Sequence, residues 1–172
     1  MRTKYLIIVL CCVYSLHSVG QTNNHKMKSH NAVYIDAPTL NTIVTLNYDR
    51  VLYDAKWLKW SGRIGIASNF QYKIDVCIPI ETSLLIGKGN HYAEIGTGIA
   101  SYFLQSDQNI AEWGNNTTDE YWFVSRLGYR LQNKHFILRA AYTPYWLIRS
   151  GWHPSSLGNF VHGPSLSLGY AF

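Results

Sequence analysis

From Ser165 to its end the chain alternates without a break. Leu166, Leu168, Tyr170 and Phe172 fall on one side of an extended chain, and Ser165, Ser167, Gly169 and Ala171 on the other, because successive strand side chains point to opposite faces. The same period of two recurs upstream. Val44, Leu46 and Tyr48 oppose Thr45, Asn47 and Asp49; Ile64 and Ile66 oppose Arg63, Gly65 and Ala67; Val76, Ile78 and Ile80 oppose Cys77, Pro79 and Glu81. Further on, Ala93, Ile95, Ile99 and Phe103 oppose Glu94, Gly96, Gly98 and Ala100, while Phe123, Leu127, Tyr129 and Leu131 oppose Arg126, Gly128 and Arg130. Phe136, Leu138, Ala140 and Tyr142 then oppose Arg139, Ala141 and Thr143. With a short stretch closed by Pro38, these patterns predict eight strands over 32–37, 42–51, 60–70, 73–86, 91–104, 120–131, 135–147 and 161–172. Pro79 lacks a ladder donor, which predicts a bulge or a local break at that point.

The connections carry a second pattern. The links at 148–160 and 105–119 are long, and the second is rich in Asn and Asp; those at 132–134 and 87–90 are tight. Long and tight links in alternation predict an antiparallel barrel with its loops at one end, closed by pairing of the first and last strands. The two faces then decide its surroundings. In a soluble sandwich the greasy face looks inward; in a membrane barrel it faces lipid, and the small polar face lines the lumen. No apolar run after residue 20 reaches the length of a spanning helix, yet the chain holds 13 Tyr and 6 Trp. Many Tyr and Trp on a chain of average polarity fit interfacial girdles, so the fold expected for 32–172 is an eight-stranded antiparallel transmembrane β-barrel.

The N-terminus reads differently. Arg2 and Lys4 precede an apolar run over 5–13, and Ser18, Val19 and Gly20 supply small residues before Gln21. That layout predicts a cleaved secretory signal peptide over 1–20. A polar periplasmic leader, expected to be mobile, then spans 21–31. Cleavage removes Cys11 and Cys12 and leaves Cys77, so neither a disulfide framework nor a cysteine metal site is expected. Without Arg2 and Lys4 the formal charge falls from +5 to +3, which is no signature of nucleic-acid binding. His25 and His30 lack a third ligand nearby, so no metal and no cofactor is expected.

Across the inner face the pattern gathers Asp49, Glu81 and Glu94 with Arg63, Arg126 and Arg139, and Arg130 towards the rim. An eight-stranded barrel is just wide enough for side chains to fill it. Opposite charges in that space would pair, giving a structural network and a plugged lumen; the functional alternative is a narrow transport channel. Trp113, Tyr145, Trp146 and Trp152 are the expected loop and rim aromatics.

One stretch offers chemistry. His153-Pro154-Ser155 resembles part of the motif of outer-membrane lipid A deacylases, eight-stranded barrels in which Ser acts as nucleophile and His as base. That likeness implies an acidic residue downstream, and no Asp or Glu follows Glu120; the acid would have to be Glu94, Asp119 or Glu120. Gly87-Lys88-Gly89 reads as a turn and not a phosphate loop, since no helix follows.

A wider likeness rests on Leu46-Asn47-Tyr48-Asp49-Arg50, Leu85-Ile86-Gly87-Lys88-Gly89, His91-Tyr92-Ala93-Glu94-Ile95-Gly96-Thr97-Gly98, Leu127-Gly128-Tyr129-Arg130, Ala141-Tyr142-Thr143-Pro144 and Gly169-Tyr170-Ala171-Phe172. With these the chain resembles the small outer-membrane β-barrel proteins of Bacteroidota over most of 31–172. The resemblance implies a place in the bacterial outer membrane. The partners it implies are outer-membrane lipid, including lipopolysaccharide, and the insertion machinery, engaged through the Phe172 strand. It implies no activity, so the expected role is structural or surface recognition through the long loops, with the acyl hydrolase of His153 and Ser155 as the alternative.

Overall fold

Alternation over whole strands leaves the chain few options other than a sheet. The computed structural model describes residues 27, 29–37, 44–69, 75–104, 118–150 and 160–172. The described residues form eight strands and no helix: β1 (Asn31–Ala37), β2 (Thr45–Asp54), β3 (Leu58–Asn69), β4 (Asp75–Lys88), β5 (His91–Leu104), β6 (Thr118–Gln132), β7 (Ile137–Ser150) and β8 (Phe160–Ala171). Each pairs antiparallel with its sequence neighbour, and β1 pairs with β8, closing a barrel. At the seam, Asn31 and Phe172 exchange backbone hydrogen bonds of 3.0 and 2.8 Å. Gly169 makes this closure possible. It lies opposite Tyr34, and a Cβ there would run into the Val33 carbonyl and the Tyr34 backbone.

One end of the barrel carries the β1 start, the β8 end and three short connections; it is the termini end. The β4–β5 turn is Gly89-Asn90, with Gly89 at φ 66°, a conformation that favours glycine. In the β6–β7 turn, Asn133 Oδ1 accepts hydrogen bonds from the backbone N–H of His135 (2.9 Å) and Phe136 (2.8 Å). This turn consumes two residues that the pattern assigned to the strand, so β7 starts at Ile137 and not at 135. The loop end carries the longer connections, which lie outside the described residues.

Other boundaries shift for physical reasons. β2 begins three positions later than its pattern suggests and runs on to Asp54, through a register shift between Val51 and Tyr53. A second shift falls at Tyr121/Trp122 against β7. No shift occurs at Pro79. Its pairing with Ala100 on β5 is intact, while the ladder to β3 skips from Ile64↔Ile80 to Ala67↔Cys77 in unchanged register. The missing donor thus produces a local break on one side only, with the Pro79 ring lying against Gly65.

Much of the interior is built from the small and polar face. Asn47, Asp49, Arg63, Glu81, Glu94, Arg126, Arg130, Arg139 and Ser167 are buried, whereas Leu46, Ile66, Ile80, Ile95, Leu127 and Leu168 are exposed on the outside. Gly98 is an inward position with no room for a side chain: a Cβ would meet the Ile80 carbonyl and lie 2.6 Å from Glu81 Cα and Cγ. Gly98→Val should therefore pry β5 from β4 and displace Glu81, costing about 1–3 kcal/mol. Thermal unfolding followed by circular dichroism checks this, and an unchanged midpoint would contradict it.

Candidate functional site

The lumen holds the largest concentration of polar chemistry among the described residues, and its core is a closed ring of alternating charge. Asp36 of β1 accepts from Arg63 of β3 at 3.3 Å; Arg63 also donates to Glu81 of β4; Glu81 accepts from Arg126 Nε of β6 at 3.1 Å; and Arg126 returns to Asp36 at 3.2 Å. Each of the four therefore has two partners of opposite sign. Ser167 donates to the second Asp36 oxygen (3.0 Å), and Ser165 accepts from Arg126 Nη1 (3.1 Å). The sequence places the ring's members on four different strands, all of inward parity. Gly98 and Gly96 on the intervening strand leave room for them, a Cβ on Gly96 lying 3.4 Å from Arg126 Cβ.

Further pairs stand apart from the ring. Arg139 grips both oxygens of Glu94, one at 3.0 Å, while its guanidinium lies 4.8 Å from the Tyr34 ring centre and donates to the Tyr34 hydroxyl. Arg130 holds both oxygens of Asp49 at 3.1 and 2.8 Å, and Gln132 accepts from its Nε at 2.7 Å. Nearer the termini end, Lys59 is bonded to Asp54 and lies 5.6 Å from the Tyr92 ring centre. Above the charged layers, towards the loop end, the lumen turns apolar: Ala67, Cys77, Ala100, Tyr102, Trp122, Val124 and Tyr145 pack together.

The six residues expected in the lumen are all buried there, and their described hydrogen bonds fall into three groups. Asp49 meets Arg130, and Glu94 meets Arg139. Asp36, Tyr34 and the Asp54–Lys59 pair were not anticipated. Parity could have found Asp36, because it alternates with the outward Val33 and Ile35. Of the expected rim aromatics, Trp146 faces outward between Phe123 (5.7 Å between ring centres) and Phe160 (5.3 Å). Tyr145 corrects the expectation: strand alternation turns it into the lumen, where it is buried. Trp113 and Trp152 lie outside the described residues, as do the long loops, the 1–20 segment, and His153 and Ser155. Of the acids considered for that pair, Glu94 is committed to Arg139, and Glu120 accepts from Trp122 Nε1 at 3.2 Å. No described cluster has the makings of a metal site.

Of the expected leader, residues 27 and 29–31 are described, and they are docked on the barrel. Met27 and Ser29 are buried against the termini end. Met27 N donates to Asp54 (3.0 Å), Ser29 Oγ donates to the Lys134 carbonyl (2.6 Å), Gln132 donates to the Ser29 carbonyl (3.0 Å), and the His30 carbonyl accepts from Val51 N (2.7 Å). Met27 packs on Val51, Leu85 and Tyr92. These residues act as a strap across the barrel floor, over Asp54 and Lys59.

Compared with known proteins, the chain matches no family model, no curated protein and no solved structure.

Two measurements probe the site. Arg126→Leu strips Asp36 and Glu81 of one guanidinium each inside a buried ring, and should cost about 3–5 kcal/mol of stability; Ser165→Ala, which removes one hydrogen bond, should cost only about 1 kcal/mol. Equal losses in thermal unfolding would contradict the ring's dominance. Secondly, the Lys59 side chain is inaccessible beneath the strap. Deleting residues 21–30 should expose it to amine-reactive labelling, read by mass spectrometry; protection unchanged by the deletion would show that the strap is not its cover.

Proposed function

We propose that the chain is an integral β-barrel of the bacterial outer membrane, of the kind its motifs resemble, with a filled lumen and a non-enzymatic role in envelope structure or surface recognition. The observation that carries this reading is the inverted arrangement of the barrel. Charged side chains line its axis, and Ile66 (52% exposed), Ile80 (58%) and Leu127 (63%) are among a belt of aliphatic residues that faces outward. A water-soluble protein rarely exposes contiguous apolar patches beyond a few hundred Å². In hydrocarbon the same belt is favourable, since burying each such side chain is worth roughly 1.5–3 kcal/mol.

Two further features support the reading. Exposed aromatics flank the aliphatic belt: Tyr48, Trp57, Tyr170 and Phe172 towards the termini end, and Phe103, Phe123, Trp146 and Phe160 towards the loop end. Tyr and Trp prefer the headgroup level, where one side of the ring is dry and the other wet. The strands other than β1 run for 10 to 15 residues, enough for the roughly 9–11 residues a tilted membrane strand needs. The closed ladder leaves no open sheet edge facing lipid.

On this reading the partners are outer-membrane lipid, lipopolysaccharide included, and the insertion machinery, which would meet β8 and the outward-facing Phe172. Recognition would fall to the connections between β5 and β6 and between β7 and β8. The paired charges and the apolar cluster above them argue against a transport channel, and the commitment of Glu94 to Arg139 removes one acid that an acyl hydrolase at His153 and Ser155 would need.

The protein should require detergent or lipid to remain folded and monodisperse, and in planar bilayers it should pass no steady current. A folded monomer in plain buffer would refute the membrane reading. Single-channel currents would refute the filled lumen.

A further inference from the structure

We infer that the termini end of the barrel is a collar for the anionic headgroups of the phospholipid leaflet it meets, an inference that rests on the membrane reading above. The argument starts from where the charges go once the lumen is set aside. Asp36, Asp49, Asp54, Glu81 and Glu94 are paired with Lys59, Arg63, Arg126, Arg130 and Arg139. The described cations left over at the termini end are Arg50, Lys56, Lys88 and Lys134, all exposed. No described ion pair engages any of them. Asp54, the acidic side chain that ends β2 at that rim, is already bonded to Lys59 and to the Met27 N–H.

Their placement is distributed around the rim. Lys56 lies in the β2–β3 turn, Lys88 at the end of β4, Lys134 in the β6–β7 turn and Arg50 on the outer face of β2, opposite Asn31 of β1. Each has an aromatic neighbour suited to the headgroup level. Trp57 follows Lys56 and is exposed. His91, opposite Lys88, bonds Tyr129. Beside Lys134, His135 stacks on Tyr170 at 5.7 Å between ring centres, and Tyr170 stacks on Phe172 at 6.2 Å. Tyr48, two positions before Arg50 on the same outer face, donates to Asn31 at 2.9 Å.

A ring of aromatic side chains fixes the depth of a barrel in its bilayer, and long basic side chains at that depth extend their charge to the headgroups. Four cations without carboxylate partners there form a positive collar whose complement is phosphate. The partner is therefore an anionic phospholipid rather than a zwitterionic one. The attraction is electrostatic and short in range, worth about a fivefold preference per basic residue near the surface.

The test uses the whole protein in nanodiscs made from an equal mixture of phosphatidylglycerol and phosphatidylcholine, with the lipids retained on the protein counted by native mass spectrometry. Phosphatidylglycerol should be enriched roughly fivefold or more over the bulk ratio. Replacing Arg50, Lys56, Lys88 and Lys134 together by Gln should abolish the enrichment, while Lys56→Arg, Lys88→Arg and Lys134→Arg together should keep it. Should the four-Gln protein not fold, salt decides on the parent protein, because screening must erase the preference; enrichment that survives high salt overturns the collar. So does a bulk lipid ratio in the parent, or a preference for added lipid A that the four-Gln protein retains. A protein that enters no nanodisc at all overturns both this inference and the membrane reading, whereas entry without enrichment overturns this inference alone.

Discussion

A charge inside a barrel too narrow to hold bulk water has to be met by its opposite, and that requirement organises this molecule. At low dielectric an unpaired guanidinium or carboxylate costs several kcal/mol, so the interior can be polar only if it is neutral in detail. The structure satisfies this locally. Asp36, Asp49, Glu81 and Glu94 each touch a cation, and in the central ring each member touches two. Arginine suits such work better than lysine, because its planar fork can serve two carboxylates at once; Arg63 and Arg126 each do so with Asp36 and Glu81.

The ring also braces what the backbone ladder alone holds least firmly. Ladder hydrogen bonds join only neighbouring strands, and β1 is the shortest, at seven residues. Yet Asp36 on β1 reaches Arg63 on β3, Arg126 on β6 and Ser167 on β8. The strand that closes the barrel is thus tied across the lumen as well as along its edges. Gly169 opposite Tyr34 completes the same seam from the other side, because the absence of a side chain there lets β1 and β8 approach.

How far this was legible in the sequence follows from what a period of two can encode. Parity separates the faces, so the inward Asp49, Arg63, Glu81, Glu94, Arg126 and Arg139 and the outward Leu, Ile and Phe positions could be read directly. Parity says nothing about height along the axis. Partners were therefore not legible: Asp49 meets Arg130, 81 positions away, and Glu94 meets Arg139, 45 positions away, because tilted strands bring distant positions to one level. Tyr145 shows the same limit. Its composition suggested a rim, but the phase of β7 put it inside, next to outward Trp146. The strap was illegible for another reason. Met27 is a single apolar residue among polar ones and has no periodicity, so nothing local distinguishes a docked segment from a free one. What docks it lies far along the chain, in Asp54, Leu85, Tyr92 and Gln132.

Net charge was the least informative number, for the same geometric reason. A formal +5 over the whole chain looks like a mild, diffuse excess. Ten of the charges that enter it, five of each sign, pair with one another in the lumen and add nothing to the net. Those left over are unevenly divided between the ends, although Lys73 and Arg149 fall with the acids at the loop end. The described termini end keeps Arg50, Lys56, Lys88 and Lys134, while the β5–β6 connection at the other end carries Asp107 and Glu112 in its sequence, just before Glu120 on β6. A barrel that neutralises its axis thereby leaves a polarity between its rims, set by the turns and by the strand ends beside them. Turn residues are the positions freest to change without disturbing either the ladder or the lumen. The same fold can therefore be matched to different surroundings at each end by substitutions in its turns, with the charge ring and the outward apolar belt untouched.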